Sequence, residues 1–262
     1  MMKTRIKGVG ATLLLCAFFL LGSCESDGTY MSPGEGGKGG SMARFTVAGD
    51  YLYTIDDRIL RTFDISNESK PFYLKKKDKE VGDNMETIFA RDTLLFLGSS
   101  NGMYIYNIAR PEFPSFIACA EHFTSCDPVV ATDRYAYVTL NSNSWQCGRG
   151  ADLLDIYDLH DISKPEHVFR SLDFNHPRGL GIDGNKLFIC DNTLKVYDIS
   201  DPVLPVWIDD TSHLPEADEM DAYDVIPMNG LLLLIGKTGL YQFDYRGEKL
   251  AFVSKITVKP TL

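Results

Sequence analysis

A pair of short apolar strands recurs five times along this chain, and that recurrence constrains the fold more than any other feature. The pairs are Tyr51–Ile55 with Leu60–Ser66, Leu94–Leu97 with Met103–Ile108, Tyr135–Leu140 with Leu154–Leu159, Leu187–Cys190 with Leu194–Ser200, and Leu231–Ile235 with Leu240–Tyr245. Each second strand ends in a tail whose polar residue stands at Asp64, Asn107, Asp158, Asp198 or Asp244, at spacings of 43, 51, 40 and 46 residues. A period in the forties built from short strands marks a β-propeller blade. A further strand is expected before each pair (Arg44–Ala48, Glu86–Ala90, Pro128–Ala131, Gly179–Ile182, Tyr223–Ile226). Another is expected after it (Phe72–Leu74, Ser115–Cys119, His167–Ser171, Val206–Ile208, Leu250–Val253). Polar or glycine-bearing turns such as Asp56-Asp57, Ser100-Asn101-Gly102, Asp191-Asn192 and Lys237-Thr238-Gly239 join the central strands as hairpins. Pro71, Pro111, Pro165 and Pro202 follow four of the tails, where a residue without an N–H ends a strand. The expectation is an all-β chain, a β-propeller of about five four-stranded blades.

Composition fits a folded chain: 262 residues, 44% hydrophobic and 24% charged, which excludes general disorder. The net charge of −10 argues against a nucleic-acid partner, since binding there rests on Lys and Arg neutralising phosphates.

The first residues read as an address. Residues 1–23 carry Lys3, Arg5 and Lys7, no acid, and an apolar run from Val9 to Leu21. This is a secretory signal, too short to span a membrane comfortably. It ends in Leu21-Gly22-Ser23-Cys24, which resembles a bacterial lipobox, so lipidation is expected at Cys24. Loss of the signal takes the net charge from −10 to −13. Glu25 and Asp27 resemble the surface-export signal of Bacteroidetes-type lipoproteins. The expected location is therefore the outer membrane of a Gram-negative bacterium, at the cell surface, with the lipid as membrane anchor. Residues 24–42 read as a flexible, Gly- and Ser-rich tether, and residues 43–262 as the propeller.

Leu194-Lys-Val-Tyr-Asp-Ile-Ser-Asp-Pro202 closely approaches the pattern Leu-x-Val-x-Asp-Ile-Ser-x-Pro. The chain thereby resembles the LVIVD-repeat family of bacterial β-propeller-like proteins, often lipoproteins. Gly39–Phe45, Cys126–Val130, Ala136–Leu140 and Asp224–Pro227 also look like that family in Bacteroidetes. The resemblance covers residues 40–262 and implies no established catalytic activity. Relatives of this kind usually carry more repeats before the Gly39–Phe45 stretch, so the ring is expected to be a compact five-bladed one or a shortened form that closes imperfectly.

Outside the signal and Cys24, four cysteines remain: Cys119, Cys126, Cys147 and Cys190. A Cys126–Cys147 disulfide would pin the long insert Asn141–Asp152, closing a loop worth about 3 kcal/mol. Four independent buried thiols are the alternative, and Cys190 reads as a core residue. His122 and Cys126 have a ligand-like spacing, but no tight Cys pair accompanies them, so no metal and no cofactor are expected. His160, His167, His176 and His213 read as loop histidines.

Catalytic signatures are missing: no Gly-x-Ser-x-Gly, no His-Glu-x-x-His and no phosphate-binding glycine loop. The acidic runs Asp209-Asp210 and Asp218-Glu219-Met220-Asp221 read as solvated loops, and Asp56 and Asp191 as turn residues. Propellers usually bind at the mouth where inter-blade connections converge. Those connections place Asn84, His122, Asp127, His176, Arg178 and Asp221 there, and the insert adds Trp145 and Arg149. The function expected is a non-enzymatic module for a protein or glycan ligand. The alternatives are a propeller hydrolase or lyase, and a purely structural envelope component.

Overall fold

The computed structural model describes residues 39–121, 128–142 and 151–258. Cys24, His122, Cys126, Asp127, Trp145, Cys147 and Arg149 lie outside them. The first blade holds β1 (Phe45–Ala48), β2 (Tyr51–Ile55), β3 (Ile59–Asp64) and β4 (Phe72–Tyr73), with β5 (Lys79–Glu80) also paired to β3. The second is β6 (Met85–Arg91), β7 (Leu94–Ser99), β8 (Gly102–Asn107) and β9 (Ser115–Glu121). The third is β10 (Val129–Ala131), β11 (Tyr135–Leu140), β12 (Leu153–Asp158) and β13 (Glu166–Ser171). The fourth is β14 (Pro177–Asp183), β15 (Lys186–Asp191), β16 (Thr193–Asp198) and β17 (Val206–Asp210). The fifth is β18 (Ala222–Met228), β19 (Leu231–Gly236), β20 (Gly239–Asp244) and β21 (Ala251–Thr257). All pairings are antiparallel and, the β3–β5 pair apart, sequential, so this is a five-bladed β-propeller. One turn of helix, α1 (Ala217–Met220), interrupts it. Strand boundaries move by a few residues from the sequence expectation. The largest change is β21, which runs on to Thr257 because it pairs with the whole of β20.

The recurring polar residue has a structural job. Asp64, Asn107, Asp158, Asp198 and Asp244 each accept the backbone N–H two residues on, from Ser66, Ala109, His160, Ser200 and Arg246. These are Asx turns. The residue between sends its own N–H back to the hairpin joining the first two strands: Ile65 to Asp50, Ile108 to Thr93, Leu159 to Arg134, Ile199 to Asn185 and Tyr245 to Gly230. The tail thus fastens the third strand to that hairpin in every blade. The Arg246 side chain and backbone hold the Asp244 carboxyl down at about 2.

Each blade buries its faces against its neighbours. One core cluster joins Tyr53, Ile55 and Leu60 to Leu95 and Leu97 of the second blade. The next joins Phe96 and Ile105 to Ala136 and Val138. The third joins Tyr137 and Ile156 to Leu187 and Ile189, and the fourth joins Phe188 and Cys190 to Leu232 and Leu234. The second strand of a middle blade alternates between two clusters, as a period-2 strand must when both faces are covered. Cys190 is fully buried, and burial pushes its thiol up. Cys119 is also a free thiol, half-buried and raised to about 11 by burial.

The solvated reading of Asp209 is corrected by the structure. Asp209 is buried and accepts the Leu250 N–H at 2.7 Å, tying β17 to the fifth blade. An unpartnered carboxylate would not be tolerated there.

A buried latch sits on the inner strands. The Asp224 carboxylate on β18 accepts the Val225 N–H at 2.9 Å, the Met42 N–H at 3.3 Å and the Ser41 hydroxyl at 3.3 Å. The Ser41 hydroxyl in turn accepts the Leu180 N–H on β14 at 2.7 Å. The Ala43 carbonyl takes the Ile88 N–H of β6. Residues 41–43 therefore bond to three blades. Burial outweighs these bonds and raises the Asp224 carboxyl to about 6, against about 3.9 in an unfolded chain. The folded state holds this proton more tightly, so the contribution is most favourable below pH 4 and is lost as pH rises to 6. Relative to Asp224→Asn, wild type is expected to lose about 2 kcal/mol between pH 4.5 and 7.5. Urea unfolding at the two pH values measures this, and a pH-independent difference refutes it.

Candidate functional site

Three sequence candidates come together at the mouth formed by the inter-blade connections. Asp191 organises the first of them. Its buried carboxylate accepts the N–H groups of Asn175 and His176 and pairs with Lys195 at 2.7 Å. That fixes the connection just before β14; the carboxylate braces this distant segment and not its own turn. Arg178 follows. Its Nη1 donates to Asp221 Oδ1 at 2.8 Å and to the Ala222 carbonyl at 3.3 Å, and its guanidinium lies 5.9 Å from the Tyr223 ring. Asp221 caps α1 in a left-handed conformation, φ 39°.

His176, Arg178 and Asp221 line one open cleft of about 920 Å³ between the fourth and fifth blades. Glu219, Lys237 and Thr238 line its far wall. Lys255 approaches Glu219 at 3.6 Å, and Thr238 shares a 2.6 Å hydrogen bond with Tyr241. The wall carries donors and acceptors of both charges and almost no large apolar side chain. Such a surface suits a hydroxyl-rich or peptide-like ligand rather than an apolar one.

β-Bulges aim side chains at this mouth. The register between the first and second strands skips Glu86 in the second blade, Arg178 and Gly179 in the fourth, and Tyr223 in the fifth. An unpaired bulge residue is free to turn out of the ladder. Sequence reading found Arg178 but not Glu86 or Tyr223, because a bulge leaves no mark in a strand's alternation.

Asn84 lies apart from the three. It lines a second hollow of about 420 Å³ with Arg44, Asp57 and Glu86. Its φ is 54° and its N–H is held by Asp57 at 3.1 Å, so its evident work is to make the turn before β6. Burial raises the Glu86 carboxyl, and Arg44 partly offsets it. The opposite mouth is a cavity of about 350 Å³ lined by residues including Phe89, Val130, Ile182, Ile226 and Pro227, and is more apolar.

Another polar cluster was not foreseen. Asp155 is fully buried on β12. Arg170 grips it through two bonds of 2.7 and 2.6 Å, and His167 Nε2 lies 2.9 Å away. The signal was present in Leu153-Leu154-Asp155-Ile156, a charge set in an apolar strand. Among the described residues no group of three or more His, Cys, Asp or Glu could hold a metal ion.

Comparison with known proteins bears on the repeat and the fold. The LVIVD repeat model matches residues 39–76 and 177–209. The chain thus carries LVIVD repeats in these two segments. The two matches fall on the first and fourth blades, and the second contains the Leu194–Pro202 motif that carried the resemblance. No curated protein matches the LVIVD-repeat chain. Solved structures do resemble it. A functionally unknown protein from Desulfotomaculum acetoxidans aligns with a TM-score of 0.65 at 10% identity, over 82% of this chain and 69% of that one. A periplasmic gluconolactonase from Pseudomonas aeruginosa gives 0.58 at 11%, over 80% and 68%. The WD40 domain of SCAP from fission yeast gives 0.52 at 16%, over 80% and 50%. At these identities the likeness is one of fold.

Proposed function

We propose that the LVIVD-repeat protein is a lipid-anchored, non-enzymatic binding module that engages a protein or glycan ligand at the cell surface of a Gram-negative bacterium. Acylation at Cys24 holds it on the outer membrane. The observation that carries the binding role is the convergence of His176, Arg178, Glu219, Asp221 and Lys237 on one open cleft. Arg178 keeps donors beyond those given to Asp221 and Ala222, and a fork of donors beside carboxylates is the usual grip on sugar hydroxyls or peptide backbone. Glu219 and Asp221 are each met by a cation, which suits recognition better than acid–base work.

The test uses the full chain on intact cells. Cells carrying it are screened on a glycan array, and proteins near it are captured by cross-linking. Wild type is expected to retain one glycan class or one protein. Lys237→Glu, an exposed change, is expected to weaken retention at least tenfold, and Cys24→Ala to remove the chain from the surface. A retained ligand that Lys237→Glu leaves untouched overturns the site, and turnover of that ligand overturns the non-enzymatic reading.

A further inference from the structure

The four core clusters join blades one to two, two to three, three to four and four to five. Among the described residues no such cluster joins the fifth blade to the first. The second strands show what this leaves. On β7, β11 and β15 alternate residues enter two different clusters; on β2 and β19 only one set does. The other set faces outward. On the first blade the free face carries Phe45 and Val47, 56% and 42% exposed, beside Leu52 and Phe63. On the fifth it carries Ile235 and Ile256, 47% and 62% exposed, beside Leu233 and Leu240. Exposed large apolar side chains on the first three strands of a blade occur, among the described residues, in these two blades alone.

Two polar pairs on these faces are satisfied within their own blades. Arg61 pairs with Asp56 at 2.5 Å, and Ser254 donates to Gln242 at 2.6 Å. Covering either face leaves both pairs intact. An apolar patch of this kind, rimmed by self-satisfied polar groups, marks an association surface.

The two faces are also complementary by construction. Every interior cluster packs the later face of one blade on the earlier face of the next. The fifth blade has a free later face, and the first has a free earlier face. We propose that these two faces are the halves of a head-to-tail interface between copies of this chain, the fifth blade of one copy seated on the first blade of another. A second copy presents the shape that four interfaces of this fold already accept. Such a contact is heterologous, so one copy can both give and receive.

The test places Val47→Cys and Ile235→Cys in the full acylated chain on cells, applies a mild oxidant, and reads non-reducing gels. The expected result is a dimer and a higher ladder from the double variant. Co-expression of the two single variants should give one mixed dimer, and each single variant alone should give none. Phe45→Glu in the double variant should abolish the ladder. A cross-link within one chain would mean that the ring seals on itself, and overturns the proposal. So does a dimer from either single variant alone, which would pair like faces, or a ladder that survives Phe45→Glu. As a second measurement, wild type in detergent is sized by light scattering. A chain that stays monomeric there and forms no cross-link overturns it as well.

Discussion

Gly179→Ala is expected to destabilise the propeller by about 4 kcal/mol, seen as a fall in the urea midpoint. A Cβ at Gly179 would lie 2.2 Å from Asp224 Oδ1 and 2.7 Å from the Asp224 Cα. The first atom belongs to a carboxylate locked by three hydrogen bonds, and the second to the backbone of β18. Neither can move without parting the inner strands of the fourth and fifth blades. Gly40→Ala is a useful contrast. The three atoms its Cβ would approach most closely all belong to the Asp224 side chain. Shortening Asp224 to alanine should therefore relieve Gly40→Ala in part and leave Gly179→Ala unrelieved. If Gly179→Ala unfolds at the wild-type midpoint, the close approach of the two strands is wrong.

The second large effect is expected at Arg170. Asp155 has no exposed surface, and Arg170 supplies both bonds of its bidentate grip. Arg170→Ala leaves a buried carboxylate facing His167 alone, at a cost of about 3 kcal/mol. Charge burial, more than the lost contact, is the cause. The double variant Asp155→Leu, Arg170→Leu removes the buried charge and its partner together, and is expected to recover most of the loss. Chemical unfolding of the two variants measures the difference. A double variant as unstable as Arg170→Ala would show that the side chains matter for packing and not for charge.

These positions show what the sequence exposes and what it hides. The five tails were legible because each blade solves one local problem with the same polar residue and a bond two residues away. The blade count and the hairpins follow from such short-range chemistry, whereas Asp191 braces a connection 15 and 16 residues before it. The mouth was legible in part: His176, Arg178 and Asp221 lie in connections, and connections converge at one end of a propeller. The latch was not. Ser41 and Asp224 are separated by 183 residues, and neither residue reveals its partner. The bulges that turn out Glu86 and Tyr223 were equally hidden, since one extra residue in a strand changes no composition. Asp209 was misread because an acidic pair looks solvated until the Leu250 N–H that it caps is known. The unmatched faces of the first and fifth blades needed the cluster boundaries, which are properties of packing and not of strand pattern.

In the proposed function, ligand is held in the cleft between the fourth and fifth blades. Amide hydrogen exchange of the full chain, with and without the ligand retained on cells, tests it most directly. Slowed exchange is expected at residues 176–178, 192–193, 217–221 and 237–238, which line the cleft or adjoin it. Protection confined to residues 89–91, 130–132 and 181–184 at the opposite mouth would contradict it.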